Sequence, residues 1–111
     1  MCIFGEPNQL QQVFLNLILN GIEAVGNSGT ITVSTSREGE SAVLKISDTG
    51  TGIPQEMLEK IFEPFFTTKP GKGAGLGLAI TKKIVEAHKG QIKVESEAGK
   101  GTIFTLAFPA V

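Results

Sequence analysis

The sequence contains one cysteine and one histidine, no tryptophan and no tyrosine, and its formal net charge is only −1. A lone thiol, Cys2, excludes an internal disulfide and leaves nothing from which to build a cysteine-based metal cluster. Near-neutral charge excludes the broad basic footprint of a protein that grips DNA or RNA through phosphates, so no nucleic-acid partner is expected. No apolar run approaches the ~18–20 residues that span a bilayer, and no signal peptide opens the chain. The expected setting is therefore the cytoplasm, without membrane contact by this domain. What remains is an ordinary globular composition, 41% hydrophobic and 19% charged over 111 residues, enough for one domain with a real core. The anomaly is glycine, at 14 residues, and the glycines are grouped.

Met1–Phe4 has the character of a short strand, and its abrupt start reads as a boundary within a longer protein. Pro7 suits the first turn of a helix, with Glu6 before it as a weak cap. From there Leu10, Val13, Phe14, Leu17, Gly21 and Val25 fall on one helical stripe, and Leu15 and Leu19 widen it, so the helix is expected to be deeply packed. Gly26-Asn27-Ser28-Gly29 ends it. Thr30–Ser36 and Ser41–Asp48 alternate and are rich in β-branched residues, a hairpin pattern. A short helix is expected from Pro54 to about Ile61, a third from about Leu76 to His88, and strands over Gln91–Ser96 and Thr102–Phe108. Strands and helices that mix without regular alternation favour an α+β two-layer sandwich.

Four clusters carry chemistry. Asn16 and Asn20 lie four residues apart on one side of the long helix, an odd place for two poor helix formers. They are either solvated polar residues or neutral oxygen ligands for a hard cation such as Mg²⁺. Asp48-Thr49-Gly50-Thr51-Gly52 follows a strand in which Asp48 is in phase with Ala42, Leu44 and Ile46, so its carboxylate faces inward and needs a donor. A tight turn in which the aspartate bonds its own backbone is the plain alternative. Phe62-Glu63-Pro64-Phe65-Phe66-Thr67-Thr68-Lys69 reads as a loop pinned by aromatic anchors, or simply as core phenylalanines. Gly73-Ala74-Gly75-Leu76-Gly77-Leu78 runs into a helix whose unpaired N–H groups suit phosphate oxygens. It is neither a Walker A loop nor a dinucleotide fingerprint.

In order and spacing these clusters resemble the N, G1, F and G2 boxes of the catalytic ATP-binding domain of bacterial sensor histidine kinases, with Gly99-Lys100-Gly101-Thr102 as the closing glycine-threonine segment. The short lid around Phe65-Phe66-Thr67-Thr68-Lys69 is similar to kinases of the nitrogen-regulation type. The resemblance implies a mixed sheet of about five strands backed by three helices, in a single domain over residues 1–111 that is part of a longer kinase. It implies ATP and Mg²⁺ as ligands, with Asn20 on the metal, Asn16 assisting near the phosphates, and both counted as catalytic. Asp48 would accept from the adenine amino group, Gly50 and Gly52 would give the base room, and Thr102 would lie near it. Gly73, Gly75, Leu76 and Gly77 would hold phosphates beneath a lid from Phe62 to Lys72. Ile53, Phe62, Lys69, Lys72 and Leu78 complete the implied nucleotide site.

Two positions depart from the family pattern. Gly21 follows Asn20 where alanine is usual, and Glu23 stands where many relatives carry a basic residue. Hydrolytic relatives carry a glutamate one turn before the metal asparagine; here that position is Asn16, an amide that cannot take up a proton. Phosphoryl transfer is expected over hydrolysis. The acceptor would be a histidine on a separate helical dimerisation domain, with a response regulator downstream, because the lone His88 matches a position that is not phosphorylated in the family. The isolated chain is expected to be monomeric. An anti-sigma-type protein-serine kinase and a non-catalytic nucleotide switch remain as rival readings.

Overall fold

The computed structural model describes residues 5–63 and 77–110. Pro7, with φ already set for a helix, opens α1 (Pro7–Val25). The Glu6 carboxylate caps it by accepting the Gln9 N–H at 2.7 Å. Gly26, at φ 63, turns the chain out of the helix. Two strands follow, β1 (Ile31–Glu38) and β2 (Ser41–Asp48). Gly39-Glu40 joins them as a two-residue hairpin, with Gly39 at φ 62 in the first linking position.

The short helix expected from Pro54 is a single 3₁₀ turn, Gln55–Met57, continued as i→i+3 turns to Glu63. So few residues do not repay α-helix nucleation. The second α-helix, α2 (Gly77–Ala87), leads through a tight turn into β3 (Gln91–Glu97) and β4 (Gly101–Pro109).

The strands order as β1-β2-β4-β3, and every described pairing is antiparallel. The α+β sandwich is as expected; the mixed sheet is corrected for the described strands. The crossover through α2 does return β3 in the same direction as β2, but β4 inserts between them and leaves no parallel neighbours. A fifth strand at Met1–Phe4 lies outside the described residues.

Both helices cover one face of the sheet. Val13 and Leu17 of α1, and Ile84 and Val85 of α2, close over Leu44, Ile46, Phe104, Leu106 and Phe108. The deep packing expected of α1 is also corrected, since Leu15 is 57% and Leu19 46% exposed. In a two-layer sandwich a helix has one buried side, and in α1 that side is the Val13–Leu17–Gly21 stripe.

Candidate nucleotide-binding site

The end of the sheet where β2 stops and β4 starts carries the first part of the site. Register places Asp48 directly opposite Thr102, and Thr102 opposite Ser96 of β3. All three side chains lie on the face that carries the core, in phase with Ile46, Phe104 and Val94. Thr102 is buried, at 4% exposure, and Asp48 is half-buried. The Asp48 carboxylate accepts the Gly50 N–H at 2.9 Å, so the plain turn is present, and one oxygen suffices for it.

The loop after Asp48 is clamped on two sides. Thr51 donates its N–H to Ala24 O of α1 at 3.2 Å and accepts from Gly99 N–H at 2.7 Å. Its glycines answer to that clamp. A Cβ on Gly50 would sit 2.5 Å from the Ala24 carbonyl, and one on Gly52, at φ 74, would strike the Glu97 carbonyl. The room that the sequence attributes to a base is thus also required by the chain's own backbone. Ile53 follows, half-buried against the core, with its N–H donated to Ser96 Oγ at 2.7 Å.

The second part lies between α1 and the start of α2. Asn16 Nδ2 donates to Gly77 O at 3.2 Å and to Thr81 Oγ1 at 3.3 Å, joining residues 61 and 65 positions apart. The orientation of that amide is fixed. Gly77 O can only accept, and Thr81 has committed its own proton to the same carbonyl at 2.7 Å. The Asn16 amide oxygen is therefore turned away from α2. Asn20, half-buried, sits one turn further along α1. Gly21 beside it touches the sheet: a Cβ there would be 3.2 Å from Ile31 and 3.7 Å from Asp48, so α1 and the Asp48 strand are in direct apposition.

Gly77 is informative for a different reason. Its φ is not positive, and an added Cβ would meet only Asn16, at 3.8 Å. Nothing among the described residues requires glycine there. Leu78 and Phe62 are half-buried against the core, and Lys82 Nζ lies 5.4 Å from the centre of the Phe62 ring. Lys69, Lys72, Gly73, Gly75 and Leu76 fall outside the described residues.

Three supporting residues escaped the sequence reading. Thr81 and Ser96 each carry a hydroxyl at a core-facing position, Thr81 at 0% exposure, and a polar residue in an apolar stripe is a signal that could have flagged both. Lys82 gave none. His88, half-buried, ties the ends of the helices together: its Nδ1–H donates to Ile84 O at 2.8 Å and its Nε2 accepts from Glu6 N–H at 3.0 Å. With both ring nitrogens occupied it is a structural strut.

Among the described residues no group of three or more His, Cys, Asp or Glu converges as a metal site. A cation here would rest on amide oxygens and on the ligand's own oxygens, which is a donor set for a hard, water-keeping ion. The sheet end that carries Asp48 and Thr102 thus lies against α1, which carries Asn16 and Asn20, and Asn16 joins α1 to α2.

The family described as histidine kinase-, DNA gyrase B-, and HSP90-like ATPase matches residues 5–111, and the chain belongs to it. Sporulation kinase C of Bacillus subtilis (strain 168) is 50% identical over 107 residues, covering 96% of this chain and 25% of that protein. Sensor histidine kinase ZraS of Escherichia coli (strain K12) is 48% identical, covering 96% and 23%. The chain thus spans about a quarter of the length of these curated relatives. Among solved structures, the nucleotide-free catalytic domain of histidine kinase ThkA superposes with a TM-score of 0.85 at 38% identity, over 96% of this chain and 70% of that one. Full-length ShkA in complex with AMPPNP superposes with a TM-score of 0.82 at 30% identity, over 93% and 22%. No described helix is long and apolar enough to cross a membrane.

Proposed function

We propose that this chain is the catalytic ATP-binding domain of a sensor histidine kinase in two-component signalling, and that it passes the γ-phosphoryl group of Mg-ATP to a histidine on a separate helical dimerisation domain. The observation that carries the reading is the Asn16 amide bonded to the first residue of α2. It ties Asn16, an amide and not a carboxylate at the position one turn before Asn20, to the first described turn of α2, and the start of a helix suits phosphate. The AMPPNP complex of the ShkA relative supports ATP as the nucleotide.

In this reading Asp48 takes the adenine amino group and Thr102 lies beside it. Gly77 approaches the phosphates through its backbone, with Gly73, Gly75 and Leu76 before it, and Lys69 and Lys72 supply charge. Asn20 would hold Mg²⁺ with Asn16 alongside, and the bound ion would neutralise phosphate charge during transfer. The chain's own contribution is positioning: α1 and α2 are locked together through Asn16, so amide and helix start keep one geometry. Without a general base at Asn16, water is not activated and hydrolysis stays slow. Residues 1–111 then form one domain of a longer kinase, whose helical domain and response regulator are its partners.

The test mixes the chain with labelled ATP and a histidine-bearing helical dimerisation domain. Acid-labile label on that domain, and none on the chain alone, is the expected result. Rapid ATP turnover by the chain alone, or label on the serine of an antagonist protein instead, would overturn it.

A further inference from the structure

We infer that Ser96 makes the site selective for a base bearing an amino group, by fixing the direction of the Thr102 hydroxyl. The inference rests on the base-binding role proposed above for Asp48 and Thr102. Ser96 Oγ has three neighbours: Ile53 N at 2.7 Å, Gly101 O at 2.9 Å and Thr102 Oγ1 at 2.8 Å. Either hydroxyl could donate across the last contact when it is considered alone. The other two contacts remove the choice. Ile53 N–H can only donate to Ser96, and Gly101 O can only accept, so the single Ser96 proton goes to Gly101. Thr102 must therefore donate its own proton to Ser96.

Thr102 is then left with lone pairs alone for any ligand. Its neighbour across the ladder, Asp48, is an acceptor in its ionised form, with one oxygen already taking Gly50 N–H. Two adjacent groups thus present only acceptors. An exocyclic amino group satisfies them, while a keto oxygen in the same place meets lone pairs on both. A water lodged between Asp48 and Thr102 would spend both its protons on them and turn the same acceptor outward. Selection of this kind is strong because a mismatched base leaves buried polar groups unpaired. Ser96 touches no ligand in this scheme; it is a positioning residue acting through Thr102.

Calorimetric titration of Mg-ATP and Mg-inosine triphosphate, the keto counterpart, into the whole chain tests this. The unmodified chain is expected to prefer ATP. Ser96→Ala, which frees the Thr102 proton to meet a keto oxygen, is expected to cut that preference by about tenfold. Ser96→Thr, which keeps the hydroxyl, is expected to restore it. A Ser96→Ala chain that loses affinity for both nucleotides equally, with its preference intact, would show a merely structural serine and overturn the inference. Should that variant not fold, Thr102→Val decides: an undiminished preference overturns it. Equal binding of both nucleotides by the unmodified chain overturns this inference but leaves ATP binding standing, whereas binding of neither contradicts the proposed function itself.

Discussion

Two glycines of the site do opposite jobs. Gly52, at φ 74, is packed against the Glu97 carbonyl, so a side chain there is strained twice over, by conformation and by space. Gly77 starts a helix and faces only the Asn16 side chain across an ordinary van der Waals distance. Gly52→Ala is expected to cost about 2 kcal/mol or more in thermal or urea unfolding. Gly77→Ala is expected to leave stability unchanged or raised by up to about 1 kcal/mol, while weakening Mg-ATP binding. Substitution of either glycine with the other's outcome would contradict these assignments. The sequence marks both residues equally, as members of glycine clusters. Only the neighbours brought in by the fold separate Gly52, a glycine the chain's own packing requires, from Gly77, one it does not. Asp48 is the contrasting case. Its inward direction follows from two-residue periodicity alone, and the register opposite Thr102 agrees with it.

At the scale of elements, local signals were most legible where a strand or helix has a clear face and a clear stop. β2 runs over Ser41–Asp48, the span its alternation marks, and α1 begins at Pro7 with the Glu6 cap in place. The segment after Pro54 was misread, because its apolar residues pack against the core from turns and not from a helix: Ile61 is 4% exposed. The outward side of α1 was misread for a related reason. An apolar residue on a helix does not reveal whether a second layer will cover it. The end of α2 was legible in kind but not in detail. Gly90 closes the helix, its N–H returning to Val85 O at 2.9 Å, while the left-handed position falls on Lys89, at φ 61. Lys89→Gly is therefore expected to stabilise the domain by about 1 kcal/mol in thermal denaturation. A loss of stability would show that the lysine makes a compensating contact.

For the whole molecule, the proposed site draws on four separate stretches of chain. Asp48 comes from one hairpin, Thr102 and Ser96 from the other, and Asn16 and Gly77 from the two helices above them. The motif order along the chain was readable, and belonging to the ATPase family accounts for it. The hydrogen bonds that lock the pieces, from Asn16 to α2 and from Ile53 to Ser96, span 61 and 43 residues and have no local signature. In the proposed function Asp48 reads the base of ATP. Calorimetric titration of Mg-ATP into the chain and into Asp48→Asn tests that claim most directly, since the amide would replace a charge-assisted acceptor worth ~1.5–3 kcal/mol. Binding by the unmodified chain that falls about tenfold or more in the variant is the expected result. Equal binding by both would remove Asp48 from the site, and no binding by the unmodified chain would contradict the nucleotide-binding account altogether.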